Sequence, residues 1–331
     1  MWSVVGIIGL LVLAVVLLYL PPVQNLVVKK ALESVNKSGD MHISVKKLRL
    51  GFPLDLTIDS LSMQAPGMDI AAGKAAADIA FMPLLGGNAV VRDLSVDDAI
   101  INLGTPDSAL YMRSSVKLAR LEDTNVGLFS NHIDIGLLTA SGGDISMIMT
   151  PDTVPAPKSE SAPATWEINL DKARLEKIGY RMQMLPTIDS LACNLPVAEL
   201  TNGEISLRHN TINIGEIAIS GVDATYIVPT QEYIASHPAP VIPADTTGTV
   251  VTPWSITAAK LRLDGSHALY AAKGAIPSEN FDPAYIEASE IHIAVDSFSN
   301  RGSEIRVPLT RLSARERCGI ALDASGLFEM D

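Results

Sequence analysis

A chain of 331 residues can bury a sizeable core, in one large domain or in two to three smaller ones. Its net charge of -12, with no polybasic run, excludes a nucleic-acid partner, because phosphate needs clustered Lys and Arg opposite it. Hydrophobic residues make up 47% and aromatics only 5%, so the apolar content rests on Ala, Val, Ile, Leu and 11 Met, a set suited to adaptable or lipid-facing surfaces as well as to packed cores.

The first predicted element is a membrane anchor over residues 1–20. Residues 2–20 carry no charge, and at 1.5 Å per residue they span roughly 28 Å, close to the thickness of a hydrocarbon core. Trp2 and Tyr19 sit near the two ends, where interfacial aromatics are expected. The following Pro21-Pro22-Val23-Gln24-Asn25 lacks the small-x-small pattern of a cleaved signal peptide. Charge leaves the orientation open: Lys29, Lys30 and Lys37 lie just after the anchor and taken alone would keep the body in the cytoplasm.

Pro21-Pro22 ends that helix and begins another. Val23, Leu26, Val27, Ala31, Leu32 and Val35 recur at helical spacing, predicting an amphipathic, membrane-proximal helix over residues 21–39 with Gly39 as its stop. From residue 40 the period becomes two. Ile43, Val45, Leu48 and Leu50 predict one strand broken by a bulge at Lys46-Lys47. Leu54, Leu56 and Ile58 follow, then Ala75, Ala77, Ile79 and Phe81, then Ile133, Ile135 and Leu137. Ile145, Met147 and Met149, then Ile178, Tyr180, Met182 and Met184, continue the theme, as do Ile205, Leu207, Ile212, Ile214, Ile217 and Ile219.

Pro-rich polar linkers over residues 151–165 and 229–253 divide the β-rich body into blocks at 40–150, 166–228 and 254–331. After each linker the chain restarts alike. Trp166-Glu-Ile-Asn-Leu-Asp-Lys-Ala-Arg-Leu175 matches Trp254-Ser-Ile-Thr-Ala-Ala-Lys-Leu-Arg-Leu263 at Trp, Ile, Lys, Arg and Leu, and Thr57-Ile-Asp-Ser-Leu61 echoes Thr187-Ile-Asp-Ser-Leu191. The expected fold is mainly β: an elongated, repetitive antiparallel sheet forming a groove. An ordinary β-sandwich is the alternative, and the few aromatics available to fill its core argue against it.

Catalytic and metal-binding patterns are absent. His42, His132, His209, His237, His267 and His292 form no metal-ligand spacing, and no phosphate loop, nucleophile elbow or C-x-x-C occurs. Ser34-Val-Asn-Lys37 matches S-x-x-K without the partner motifs of that chemistry. Asp97-Asp98 and Glu122-Asp123 are better explained as turns and edges than as glycosidase acids. Trp166 and Trp254 fit packing anchors of the repeat better than sugar platforms. Cys193 and Cys318 can form one bridge in an oxidising compartment or remain two free thiols. No enzyme activity, cofactor or metal is predicted. By alternation alone, Ile133, Ile135, Met147, Met149, Met182 and Met184 are the candidate lining of an apolar groove, with phospholipid acyl chains as cargo.

Leu20-Pro-Pro-Val-Gln-Asn25, the amphipathic helix, Val45-Lys-Lys-Leu-Arg-Leu-Gly-Phe52, Thr57-Ile-Asp-Ser-Leu-Ser-Met63 and the Trp-led blocks together resemble the N-terminal part of the TamB proteins, within the AsmA-like group. Arg311-Leu-Ser-Ala-Arg-Glu-Arg-Cys-Gly-Ile-Ala-Leu322 is similar to a recurring segment of Bacteroidetes-type members. The resemblance implies an inner-membrane anchor with a periplasmic body, and a β-groove (a β-taco) conveying phospholipid toward the outer membrane. It also implies support of outer-membrane protein translocation and assembly with a TamA-like barrel. Family members are far longer, so it implies a fragment as well. The competing expectation is a membrane-tethered β-rich scaffold with no lipid conduit.

Overall fold

The computed structural model describes residue 30 and residues 42–52, 54–105, 108–150, 165–185, 187–237, 253–302 and 304–330. The expected anchor and nearly all of the expected amphipathic helix lie outside the described residues, as does most of each Pro-rich segment. Among the described residues no helix is long and apolar enough to cross a membrane.

From residue 42 onward the chain is mainly β, and fourteen strands join in one sheet. In chain order they are β1 (His42–Gly51), β2 (Asp55–Ala65), β3 (Met68–Ala80), β4 (Asn88–Leu103), β5 (Leu110–Gly127), β6 (His132–Met149) and β7 (Glu167–Met184). They continue with β8 (Ile188–Ser206), β9 (Thr211–Ser220), β10 (Asp223–Val228), β11 (Ser255–Ala272), β12 (Tyr285–Arg301), β13 (Glu304–Glu316) and β14 (Ala321–Met330). Two short helices interrupt them, α1 (Phe81–Leu85) and α2 (Gln231–Ser236). Phe81, expected to close a strand, instead opens α1, where the Pro83 and Leu84 carbonyls accept from the Gly86 and Gly87 amides. Pro83 lacks the N–H that a longer ladder would need.

Neighbouring strands pair antiparallel except at two joints. β6 runs parallel to β7, and β9 and β10 run parallel to β11. β9 and β10 flank Gly221 and share the neighbours β8 and β11, so they are one strand in two pieces. The expected antiparallel sheet thus holds for most neighbours, with the two parallel joints as the departure from it. A parallel joint needs a return connection, and the two Pro-rich segments are those connections. The three sequence blocks hold β1–β6, β7–β10 and β11–β14, and all of them belong to one sheet.

Most strands are too long to run straight. Lys46, Ser60, Gly73, Asp98, Lys117, Gly142, Lys177 and Pro196 drop out of the ladder opposite one another, forming a line across successive strands. A second line runs through Arg92, Asp123, Gly136, Asp171, Asn202, Gly215, Ala259 and Ser297. Arg92 and Asp98, Lys117 and Asp123, Gly136 and Gly142, Asp171 and Lys177, and Pro196 and Asn202 are each six residues apart. Ser60, Asp98, Gly142, Lys177 and Gly265 have positive φ on the first line, and Asp123, Asn202 and Ser297 on the second. A left-handed residue inside a strand costs strain, and it bends the strand as a bulge does. In β4 to β8 it falls at the second line the strand meets. Two creases therefore divide the long strands into a middle segment and two outer ones.

Candidate functional site: a continuous apolar face

Each crease shifts the alternation by one residue, so strict period two would place the wrong side chains together. Following the partners across the ladder gives the true faces. One face of β4 is Ala89, Val91, Leu94, Val96, Ala99, Ile101 and Leu103, with the steps from 91 to 94 and from 96 to 99 spanning the creases. Opposite them on β5 stand Val126, Thr124, Leu121, Ala119, Val116, Ser114 and Met112. On β6 the same face carries Ile133, Ile135, Leu138, Ala140, Ile145, Met147 and Met149. On β7 it carries Ile168, Leu170, Ala173, Leu175, Ile178, Tyr180, Met182 and Met184.

The apolar face crosses both parallel joints. Ile205, Leu200, Ala198, Leu195, Cys193 and Leu191 continue it on β8, and Ile212, Ile214, Ile217 and Ile219 on β9. Ile256, Ala258, Leu261 and Leu263 follow on β11, then Phe298, Val295 and Ile293 on β12. Toward the first edge it includes Leu56, Ile58, Leu61 and Met63 of β2, and Ile43, Val45, Leu48 and Leu50 of β1. Among the described residues, Glu316 at the end of β13 is the one charged side chain at a register position of this face; it stands opposite Ala288. Its carboxyl is held below the usual carboxylate range by the hydrogen bonds from Cys318.

The other face is polar and carries the ion pairs. Arg120 reaches Asp93 at 2.6 Å and Glu122 at 3.4 Å. Glu199 receives Lys172 at 3.2 Å together with Arg174, and those hydrogen bonds, Lys172 first, lower its pKa. Each parallel joint has a histidine on this face. His132 lies 2.8 Å from the Asp134 carboxylate, which also accepts from Asn169 of β7. His267 of β11 bridges Asp223 of β10 at 2.9 Å and Glu287 of β12 at 3.2 Å. Asp223, then Glu287, raise its pKa against the opposing effect of burial. No ion pair forms on the apolar face among the described residues.

The structure puts the six candidate lining residues on one face, in two clusters at opposite ends of β6 and β7. Ile133 and Ile135 stand on β6 on one side of the creases, beside Ile168 and Leu170. Met147 and Met149 pair in register with Met182 and Met184 on the other side, and Met112 of β5 adjoins Met147. The Tyr180 hydroxyl points at the Met182 sulfur, 3.2 Å away. Leu137, grouped with Ile133 and Ile135 by alternation, lies on the polar face. Gly136 at the crease turns the strand over, and Leu138 faces the apolar side. Trp166 and Trp254 each precede the strand that follows a parallel joint. Trp166 is half-buried and Trp254 is exposed. Their repeat holds in detail: Asp171 and Lys177 stand at the creases of β7, as Ala259 and Gly265 do in β11. The second echo has no such counterpart, since Ser60 sits at a crease whereas Ser190 pairs with Ile227.

Large side chains of the apolar face are mostly half-buried, and the strongly buried apolar residues are few and mainly small, among them Ala173, Ala198, Ala258 and Val295. A filled sandwich would bury its inward-facing Ile and Leu. Both cysteines are free, and desolvation first, then Asp223, pushes the Cys193 thiol up. Among the described residues no group of three or more His, Cys, Asp or Glu is placed to hold a metal ion. No family model matches the chain, and neither a curated protein nor a solved structure shows significant similarity to it.

Proposed function

We propose that the chain is a membrane-anchored lipid-conduit segment without enzymatic chemistry. The two creases fold the sheet lengthwise about its apolar face, giving an open groove with a floor and two walls. One observation carries this reading: the apolar face stays unbroken from β1 to β12 although every long strand changes phase twice. A face serving only a local core has no need of such continuity. Burial of acyl chain in the groove gains about 0.8 kcal/mol per CH2, and uniform weak contacts let the chain slide. The methionines suit a lining that must adapt to varied cargo.

The apolar run at residues 2–20 supports an inner-membrane anchor, and the TamB-like sequence features support a periplasmic body. In this reading the protein takes part in phospholipid transport toward the outer membrane and in outer-membrane protein assembly, with a TamA-like barrel as partner. Photo-crosslinkers at Ile133, Ile135, Met147, Met149, Met182 and Met184 are expected to capture phospholipid in cells. The same groups at Asp134, Ser146 and Gln183, whose side chains point the opposite way, are expected not to. Equal capture at both sets would sink the conduit and favour a membrane-tethered scaffold.

A further inference from the structure

Three successive hairpin ends along one rim of the sheet differ from the other turns. The β1–β2 turn presents Phe52, the β3–β4 connection presents Phe81 and Met82 on α1, and the β5–β6 turn presents Leu128 and Phe129. Phe52 is 79% exposed, Met82 74% and Phe129 89%. The tips adjoin one another in order, with Ile79 donating to the Leu54 carbonyl and Leu128 to the Gly87 carbonyl. Two strands separate each tip from the next, about 10 Å. Gly87 has a positive φ, and a Cβ there would lie 2.4 Å from the Phe129 ring, so this glycine lets the ring lie against the backbone.

The three tip sequences, Gly51-Phe-Pro-Leu54, Phe81-Met-Pro-Leu-Leu-Gly-Gly87 and Gly127-Leu-Phe-Ser-Asn131, contain no charged residue in a chain of net charge -12. Farther along the same rim, the β8–β9 turn is Leu207-Arg-His-Asn210 and the β12–β13 turn is flanked by Arg301 and Glu304. The opposite rim carries Pro66-Gly67 and Thr105, and its exposed Ile276, Phe281 and Ile320 lie in connections that also hold Lys273, Glu279, Asp282 and Arg317. Trp254 and Met330 are also exposed on the rim of the three tips, but the succession of charge-free apolar tips lies in the third nearest the N-terminus.

We infer that these tips dip into the interfacial layer of a lipid bilayer, the one that holds the apolar segment at residues 2–20. The inference rests on the anchored-groove reading above and adds the surface by which the groove meets the membrane. The occupant follows from the chain outside the structure. Residues 21–41 join the apolar segment to β1; with 21–39 helical they reach about 35 Å, comparable to the roughly 33 Å length of β1. The tips therefore lie within reach of the bilayer although His42 starts at the opposite rim. Separate apolar fingers about 10 Å apart suit a fluid surface, whereas a helix or strand of a protein partner needs a continuous groove. An acidic chain gains nothing from anionic headgroups, so insertion is apolar and insensitive to salt.

The test places an environment-sensitive fluorophore on the full chain in phosphatidylethanolamine–phosphatidylglycerol vesicles. Met82→Cys, Phe129→Cys and, on the opposite rim, Thr105→Cys are made with Cys193→Ser and Cys318→Ser. Tail-spin-labelled lipid is expected to quench the probes at 82 and 129 at least about threefold more than the probe at 105, unchanged by added salt. Equal quenching at all three positions overturns the inference. Blue-shifted probes at 82 and 129 that lipid does not quench overturn it too, because they report a protein partner on the tips. Lipid capture at Met147 without quenching at the tips defeats this inference alone. Quenching without capture defeats the conduit alone.

Discussion

At the second parallel joint, one imidazole ties three strands. His267 faces Asp223 on β10 with Nδ1 and Glu287 on β12 with Nε2, and the protonated ring donates to both; Arg317 lies 4.0 Å from Glu287, and the separate pair His292–Asp264 is close by in sequence. Asp223 and Glu287 raise the imidazole pKa in the folded chain above its ordinary value of about 6.5. The protonated ring therefore adds stability that is fully present below that ordinary value and is lost as pH rises through the raised one. His267→Gln is expected to lower Tm most at about pH 5.5 and much less at about pH 8.5. The ring is partly exposed, so the effect is modest. A decrement in Tm that stays constant over that range, measured by thermal melts of both proteins, would show that folding does not raise the His267 pKa.

Strand by strand, the creases account for what the sequence displayed and what it hid. Alternation over eighteen residues, shifted by one at two places, shows up as several short alternating runs. Those runs were legible, and so was the shift at Lys46-Lys47, because two adjacent lysines cannot both continue an apolar face. Elsewhere the shifting residue is Gly136, Asp123 or Asn202, types equally at home in ordinary turns, so alternation alone puts Leu137 on the wrong face. The parallel joints were illegible for another reason: a local pattern carries no strand direction. Backbone geometry makes the creases testable. Gly142 has φ +64°, and a Cβ there would approach Lys117 to 2.9 Å. Gly142→Val is expected to cost about 1–2 kcal/mol, whereas Lys177→Gly, at φ 54°, is expected to be neutral or stabilising. Urea unfolding followed by circular dichroism compares them. Equal destabilisation would deny the left-handed residues their role.

Taken whole, the sheet is a ladder of thirteen strand positions, since β9 and β10 share one, and it is about 58 Å from edge to edge. A face of that length lined by Ala, Ile, Leu and Met has room for lipid tails at many places, and the proposed conduit then admits two behaviours. Lipid chains would either occupy local sites or travel from the β1 end toward β14. Leu200 distinguishes them. It stands midway on β8, between Ala173 and Ile217 on the apolar face. It is half-buried, so a substitution there leaves the ladder hydrogen bonds intact. Leu200→Asp places a carboxylate in the path, and an acyl chain passing over it would strip water from a charge at a cost of several kcal/mol. If lipid travels from the β1 end, crosslinkers at Met147 on β6 keep their capture in this variant while those at Leu261 and Val295 on β11 and β12 lose most of theirs. Glu199→Asp on the polar face serves as the control for folding. Undiminished capture at Leu261 would mean that lipid reaches each stretch of the face directly from solution or a membrane. The protein would then be an array of local sites, and the continuity of its apolar face would serve storage, with no role in conduction.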